Sequence, residues 1–232
     1  QEEAGATYID VNAGTFVGTE IEHLKWMIEN IQQVVDIPCC IDSPDPKALE
    51  AALKVHKGTA MINSISLEED RYDAVLPVVA GTDLKIVALC MSSDGMPETC
   101  DQRLKIADKL INGLVKNNVD IDNIYVDPLV QPIGTDDTYG FEFLDSVAAI
   151  TTQGVHTMCG LSNISFGLPE RKYINRNFAV MAIARGLDGL IINPLDRDMM
   201  GSIVTAEMLA GRDEFCAEYL QAFRAGIIGN PK

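Results

Sequence analysis

Three features of this sequence predict an α/β fold of the (β/α)8 or TIM barrel type. Short apolar runs alternate with helical patterns along its length, each run ends in a polar cluster, and seven such runs can be counted. The runs are continuous in polarity, as expected of strands buried on both faces of a parallel sheet. Parallel strands joined by helices build either an open doubly wound sheet or a closed barrel. No GxGxxG follows a run and no GxxxxGK[ST] occurs, so the two commonest cofactor signatures of open sheets are missing. The chain starts without Met, at a segment Gln1 to Gly5 that reads as the last turn of a helix closing on glycine. A helix showing only its end is expected to follow a strand of its own. Seven visible strands plus that one make eight, with the first strand missing from this chain.

The strands are expected at Thr7 to Val11, Pro38 to Ile41, Ala60 to Ile62, Lys85 to Leu89, Ile124 to Val126, His156 to Leu161 and Gly189 to Ile192. After the first, Glu20 to Val34 carries Ile21, Leu24, Ile28 and Ile31 on one stripe, with Thr19 as N-cap and Glu22 at N3. Pro46 to Lys57 repeats the pattern, with Asp45 as cap and Pro46 at the first helical position. Further helices are expected over Tyr72 to Ala80, shortened or bent by Pro77, and over Cys100 to Asn117, Gly140 to Gly154 and Asn175 to Arg185. Val204 to Leu209 and Glu214 to Ala225 close the outer ring. At 232 residues, one domain spanning 1–232 accounts for every element.

Charge narrows the partners. With 34 acidic against 18 basic residues the formal net charge is −16, a field that repels a phosphate backbone or an anionic membrane surface, and no basic stretch offsets it. Nucleic acid and membrane are therefore not expected as partners. No apolar run approaches the roughly 20 residues of a membrane span, and the opening QEEAGATYIDVN has no signal-peptide core. The six cysteines have no CxxC or Cys/His spacing, so they are read as plain thiols of a reducing cytoplasm. Adjacent Cys39 and Cys40 should face opposite sides of their strand.

The residues that end the runs are the informative ones. They are Asp10 and Asn12 before Ala13-Gly14, Asp42 before Ser43-Pro44, Asn63 before Ser64, Asp127 before Pro128, Asn163 after Leu161-Ser162, and Asn193 before Pro194. An Asp or Asn after a strand ordinarily caps a helix or fixes a turn. In a barrel, however, all these ends converge on one mouth, where the active sites of the fold are built. No Glu, Lys or His stands beside them to act as base to a bound metal, and no Ser or Cys has an evident His and acid partner, so neither metal nor nucleophilic catalysis is expected. What is left is a set of amide and carboxylate groups suited to a flat heterocycle with ring N–H, C=O and exocyclic NH₂ groups.

Asp-Val-Asn-Ala-Gly at 10 to 14, Ile-Asp-Ser at 41 to 43, Asn63-Ser64, Tyr-Val-Asp-Pro-Leu-Val at 125 to 130 and Gly-Leu-Ser-Asn-Ile-Ser-Phe-Gly-Leu-Pro at 160 to 169 together resemble the methyltetrahydrofolate:corrinoid methyltransferases of the pterin-binding barrel superfamily. The likeness runs over essentially the whole chain, and the stretch from Gly160 to Pro169 is its most specific motif. It implies that Asp42, Asn63 and Asp127 bind the pterin edge and that Asn163 lies near N5, the methyl-carrying atom. Asp10, Asn12, Gly160 and Ser165 join them as substrate-binding positions. The family also places an Asn at the end of a first strand that this sequence does not contain.

The reaction so implied transfers a methyl group between N5 of 5-methyltetrahydrofolate and the cobalt of a corrinoid (cobalamin) carried by a partner protein, in a direction left open. Asn163 is the expected catalytic residue, and a homodimer is expected. Arg171, Lys172 and Arg197 are candidate rim cations for the folate tail, and Asp136 and Asp137 a candidate partner-contact loop. Two alternatives remain: a condensing enzyme like dihydropteroate synthase, and a pterin- or corrinoid-binding protein without turnover.

Overall fold

A computed structural model describes residues 1–229. Seven parallel strands follow one another in sheet order: β1 (Ile9–Asn12), β2 (Cys39–Asp42), β3 (Met61–Leu67), β4 (Lys85–Ser92), β5 (Ile124–Asp127), β6 (His156–Gly160) and β7 (Gly189–Ile191). Eight helices surround this near-closed barrel: α1 (Glu20–Ile31), α2 (Pro46–Leu53), α3 (Arg71–Val79), α4 (Cys100–Lys116), α5 (Tyr139–Thr151), α6 (Arg171–Ala184), α7 (Arg197–Leu209) and α8 (Ala217–Arg224). A strand–helix repeat with neighbouring strands in sequential order is the (β/α)8 topology. Ahead of β1, Glu2–Ala4 forms a 3-10 turn closed by Gly5 at φ 92.

Alternation along each strand separates two cores. Outward residues such as Val11, Cys39, Ile41, Ile62, Ile86 and Ile124 pack on Leu24, Ile28, Leu49 and Leu110 of the helices. A second outer core joins Phe143, Cys159, Phe178 and Leu187, with the two phenylalanine rings 5.4 Å apart. Each such side chain contributes about 1.5–3 kcal/mol when fully buried. The barrel interior is filled by Cys40, Met61, Val87 and Met158, against which Tyr8, Tyr125 and Ile191 pack. Cys39 and Cys40 thus do face opposite sides of β2. β7 opens on glycine because an added Cβ at Gly189 would stand 2.8 Å from Met158 Cβ on β6.

Several element ends differ from the sequence reading. β3 and β4 run on to Leu67 and Ser92, where their register shifts after Asn63 and again after Ile65. α1 stops at Ile31 and α2 at Leu53, because each apolar stripe continues into a turn that is no longer helical. Thr19 makes no side-chain cap on α1; its hydroxyl donates instead to Phe16 O at 3.5 Å. Asp45 does cap α2, accepting from Lys47 N at 2.9 Å. α6 begins at Arg171 and α7 at Arg197, earlier than expected: Ile174 in α6 and Met199 in α7 carry the apolar stripe back into the first turn. For α7 the cap is Asp196, which accepts from Met199 N at 3.2 Å. The helix expected over Glu214 to Ala225 is broken by the left-handed residues Phe215 and Cys216, leaving a 3-10 turn before α8.

Candidate active site

The strand register sets the mouth. Asn12 pairs with Asp42, and Asp42 with Asn63, so these three side chains stand shoulder to shoulder on adjacent strands, about 4.8 Å apart by strand spacing. Asn12 Nδ2 donates to Asp42 Oδ2 at 2.8 Å while its Oδ1 accepts from Gly14 N at 2.9 Å, which orients the amide. One step deeper, Asp10 is level with Cys40 and Met61. Burial, and then the charge of Asp42, push the Asp10 carboxyl above the usual range, against hydrogen bonds from Cys40 and Asn63.

Asp127 ends β5, level with Leu89 of β4. It is buried, and that desolvation raises its carboxyl to about 7 despite hydrogen bonds from the Leu129 and Gly160 backbones and the nearby Arg103 charge. Leu129 N donates to Asp127 Oδ1 at 2.7 Å from a residue at φ 68, a conformation a leucine rarely adopts. Gly160 ends β6 and passes directly into the 3-10 turn Leu161–Ser165 that carries Asn163, whose side chain is exposed at the mouth. Asp127 and Asn163 are therefore linked through one backbone segment. Ser165 is buried behind that segment, where its hydroxyl donates to Asn175 Oδ1 at 2.7 Å and accepts from Arg171 Nε at 2.9 Å. It supports the turn from behind, whereas Asn163 faces outward.

Beneath the mouth a cavity of about 600 Å³ runs from the interior, past Asp10, Cys40, Met61 and Tyr125, out between β1 and β7. No hydrogen-bonded pairing joins β7 to β1 among the described residues.

Three arginines brace the strand-end loops. Arg71, the first residue of α3, donates to Ser64 O at 2.8 Å and Pro44 O at 3.1 Å. Arg103 of α4 donates to Pro128 O at 2.8 Å and Glu98 O at 2.9 Å, with Leu129 O at 3.4 Å. Arg171 of α6 donates to Ser162 O at 2.6 Å as well as to Ser165. Of the expected rim cations, Arg171 is thus engaged in the fold, and so is Arg197, which donates to the carbonyls of Gly226 and Gly229. Lys172 stays exposed. In the β5–α5 loop, Asp136 Oδ1 accepts from Thr138 N and Oγ1, a turn-fixing arrangement at the entrance to α5. Arg71 and Arg103 are not among the residues that strand-end polarity singles out. Arg103 does carry a signal in the sequence: it occupies a core position of the stripe Arg103, Ala107, Leu110, Ile111, Leu114, where an apolar residue is the rule.

Residues 1–193 match the family described as pterin binding enzyme. A methylcorrinoid:tetrahydrofolate methyltransferase of Eubacterium limosum is 39% identical over 233 residues, covering 99% of this chain and 86% of that protein. A methionine synthase of Mycobacterium leprae is 28% identical over 207 residues, which are 83% of this chain and 17% of that longer protein. Among solved structures, a dihydropteroate synthase from Xanthomonas albilineans in complex with 7,8-dihydropteroate superposes with a TM-score of 0.71 at 19% identity, covering 95% of this chain and 81% of that one. A dihydropteroate synthase from Coxiella burnetii in complex with pteroic acid gives 0.71 at 17% identity, covering 91% and 83%. At such identities the structural likeness speaks for the fold alone.

Proposed function

The chain belongs to the pterin binding enzyme family, and from that premise we propose a methyltransferase that moves a methyl group between N5 of a tetrahydrofolate and the cobalt of a corrinoid held by a partner protein. The observation that carries this reading beyond the family is the 39% identity to a methylcorrinoid:tetrahydrofolate methyltransferase over nearly the whole chain. The name of that relative makes the methylcorrinoid the donor and tetrahydrofolate the acceptor, and we adopt that direction. The mouth suits the substrate. Asp42, Asn63 and Asp127 present carboxylate and amide groups to the N–H and NH₂ edge of a pterin, with Asn12 and Asp10 supporting Asp42 and Asn63.

Bound corrinoid supplies the cobalt that exchanges the methyl group with N5. This chain's residues position the pterin and manage the proton. An N5 that gains a methyl group must lose a proton, and in the reverse direction it must regain one before it can leave. Asn163, exposed at the mouth, accepts from N5–H through its carbonyl or donates to N5 through its NH₂, but at neutral pH it has no proton to give. Asp127, with its carboxyl near 7, can hold a proton next to the Gly160–Asn163 segment.

The partner reading has a surface to support it. Phe16, Val17, Met96, Phe166 and Leu195 are all exposed, and each lies in a loop that follows a strand end, so an apolar rim surrounds the mouth on which a corrinoid domain docks. We also assign a homodimer, formed through the apolar groove of about 370 Å³ between α5 and α6, where Phe141, Tyr173 and Met181 stand exposed. Sedimentation of wild type against F141D tests it, with a monomeric wild type as the contrary result. A cytoplasmic location fits six free cysteines, and no described helix is long and apolar enough to cross a membrane.

The condensing-enzyme alternative needs free cations at the mouth for a diphosphate leaving group. Arg71, Arg103 and Arg171 are each spent on backbone carbonyls there, which counts against it. The deciding experiment mixes the protein with tetrahydrofolate and a methylated corrinoid protein and follows the visible spectrum. Tetrahydrofolate-dependent loss of the methylated species supports the reading, and an unchanged spectrum with tight pterin binding would leave a binding protein without turnover.

A further inference from the structure

We propose that Arg103 is a positioning residue of the methyl-transfer site, which holds the Pro128–Leu129 turn so that Asp127 is fixed under the pterin. The inference rests on the assignment of Asp127 to pterin binding. Arg103 is fully buried on α4, and among the described residues no carboxylate lies within ion-pair distance of it. A buried guanidinium is costly unless its donors are satisfied. Here they are satisfied by three carbonyls: Glu98 O before the helix, and Pro128 O and Leu129 O on the far side of the strand end. A planar fork with five fixed donors can join two loops in this way, whereas the flexible point charge of a lysine cannot.

The turn that it grips needs holding. Leu129 sits at φ 68, a left-handed conformation that is strained for a residue with a side chain. In that conformation its N–H points back at Asp127 Oδ1. Releasing the two carbonyls would let the turn relax and withdraw that N–H. Neighbouring Gln131 Nε2 donates to Pro97 O at 2.5 Å, a second tie between the loops after β4 and β5. Glu142 of α5 accepts from Cys100 N behind the guanidinium, so the α4 end of the clamp is itself anchored.

Arg103 also acts on the charge of Asp127. The groups facing that carboxyl are the Cys90 thiol from β4, the Cys159 thiol and Gly160 N–H from β6, Leu129 N–H from its own loop, and Arg103 from α4. Both thiols are held neutral by burial, which leaves Arg103 as the full positive charge among them.

The test measures tetrahydrofolate affinity by calorimetry across pH for R103K, R103M, D127N and R103K/D127N, after melting curves establish that each is folded. Ionised Asp127 is the better acceptor for the pterin edge, so wild-type affinity should strengthen as pH rises through about 7. R103K keeps the charge but loses the fork: affinity should fall about tenfold with the pH midpoint unmoved. R103M should move the midpoint to higher pH, by about half a unit or more. In the D127N background R103K should have no further effect, because Arg103 acts through Asp127. Wild-type affinity in R103K, or losses that add in the double variant, would overturn the proposal. If R103M does not fold, R103K and the double variant decide. A D127N protein that binds like wild type defeats the pterin role of Asp127 itself and removes the basis of the proposal with it.

Discussion

In the proposed reaction Asn163 serves the reacting nitrogen and Asp127 the pterin edge, and their surroundings differ accordingly. The amide at 163 stands exposed and can only donate or accept hydrogen bonds, while the carboxyl at 127 is buried and exchanges its proton near neutrality. Replacing Asn163 with alanine should slow methyl transfer at least about tenfold, through loss of a hydrogen bond that strengthens at the transition state. Single-turnover rates measure this directly, and wild-type rates in N163A would remove the residue from the chemistry. Asp127 also leaves a mark on stability. Its folded carboxyl lies above the ordinary value of 3.8, at about 7, so the protonated form is the one that folding favours. That contribution is complete below pH about 4 and is lost as pH rises through about 7, with a slope of at most about 1.4 kcal/mol per pH unit. Urea unfolding at pH 4 to 8 should therefore show wild type losing stability relative to D127N over that window; parallel pH curves would show that Asp127 is not so shifted.

At the level of elements, the mouth depends on how each helix starts. α4 begins with a reciprocal cap: Thr99 Oγ1 accepts from Gln102 N at 3.3 Å and Gln102 Oε1 accepts from Thr99 N at 3.1 Å. This cap is one turn from Arg103, so it sets the helix from which the guanidinium reaches the β5 loop. Thr99→Ala should cost about 1 kcal/mol, read from the urea midpoint at constant slope; a loss below about 0.3 kcal/mol would show the cap to be idle. α3 and α6 place their arginines differently from α4, at the first helical residue, from which the side chain turns back to the segment of the preceding strand. The residues next to Asn63, Asp127 and Asn163, namely Ser64, Pro128 and Ser162, are thus each tied to a helix that follows a mouth strand.

For the whole molecule, a net charge of −16 makes the folded state repel itself, and three acidic groups, at 10, 42 and 127, are gathered at one end. Raising sodium chloride from about 20 to about 300 mM should screen that repulsion and raise the thermal midpoint by about 2–4 °C for each kcal/mol recovered. A midpoint that falls with salt would mean that local ion pairs outweigh the net field. The strand–helix alternation, the sidedness of Cys39 and Cys40, and the placing of Asp42 and Asp127 at strand ends were legible from residue order, because hydrophobic period and polarity are local properties; Asn63, read as a strand end, lies within β3, which runs on to Leu67. Element ends were less so: the break at Phe215 lies in its left-handed backbone and leaves no mark in the apolar pattern. By itself the sequence determined which polar groups would gather at one mouth. Only the tertiary structure decided that Asn163 faces that mouth while Ser165 is turned behind it, that Asp127 is buried enough to titrate near 7, and that Arg103 and Arg171 serve the loops. Orientation, burial and hydrogen-bond partners depend on segments that lie far apart in the chain and meet only when the barrel forms.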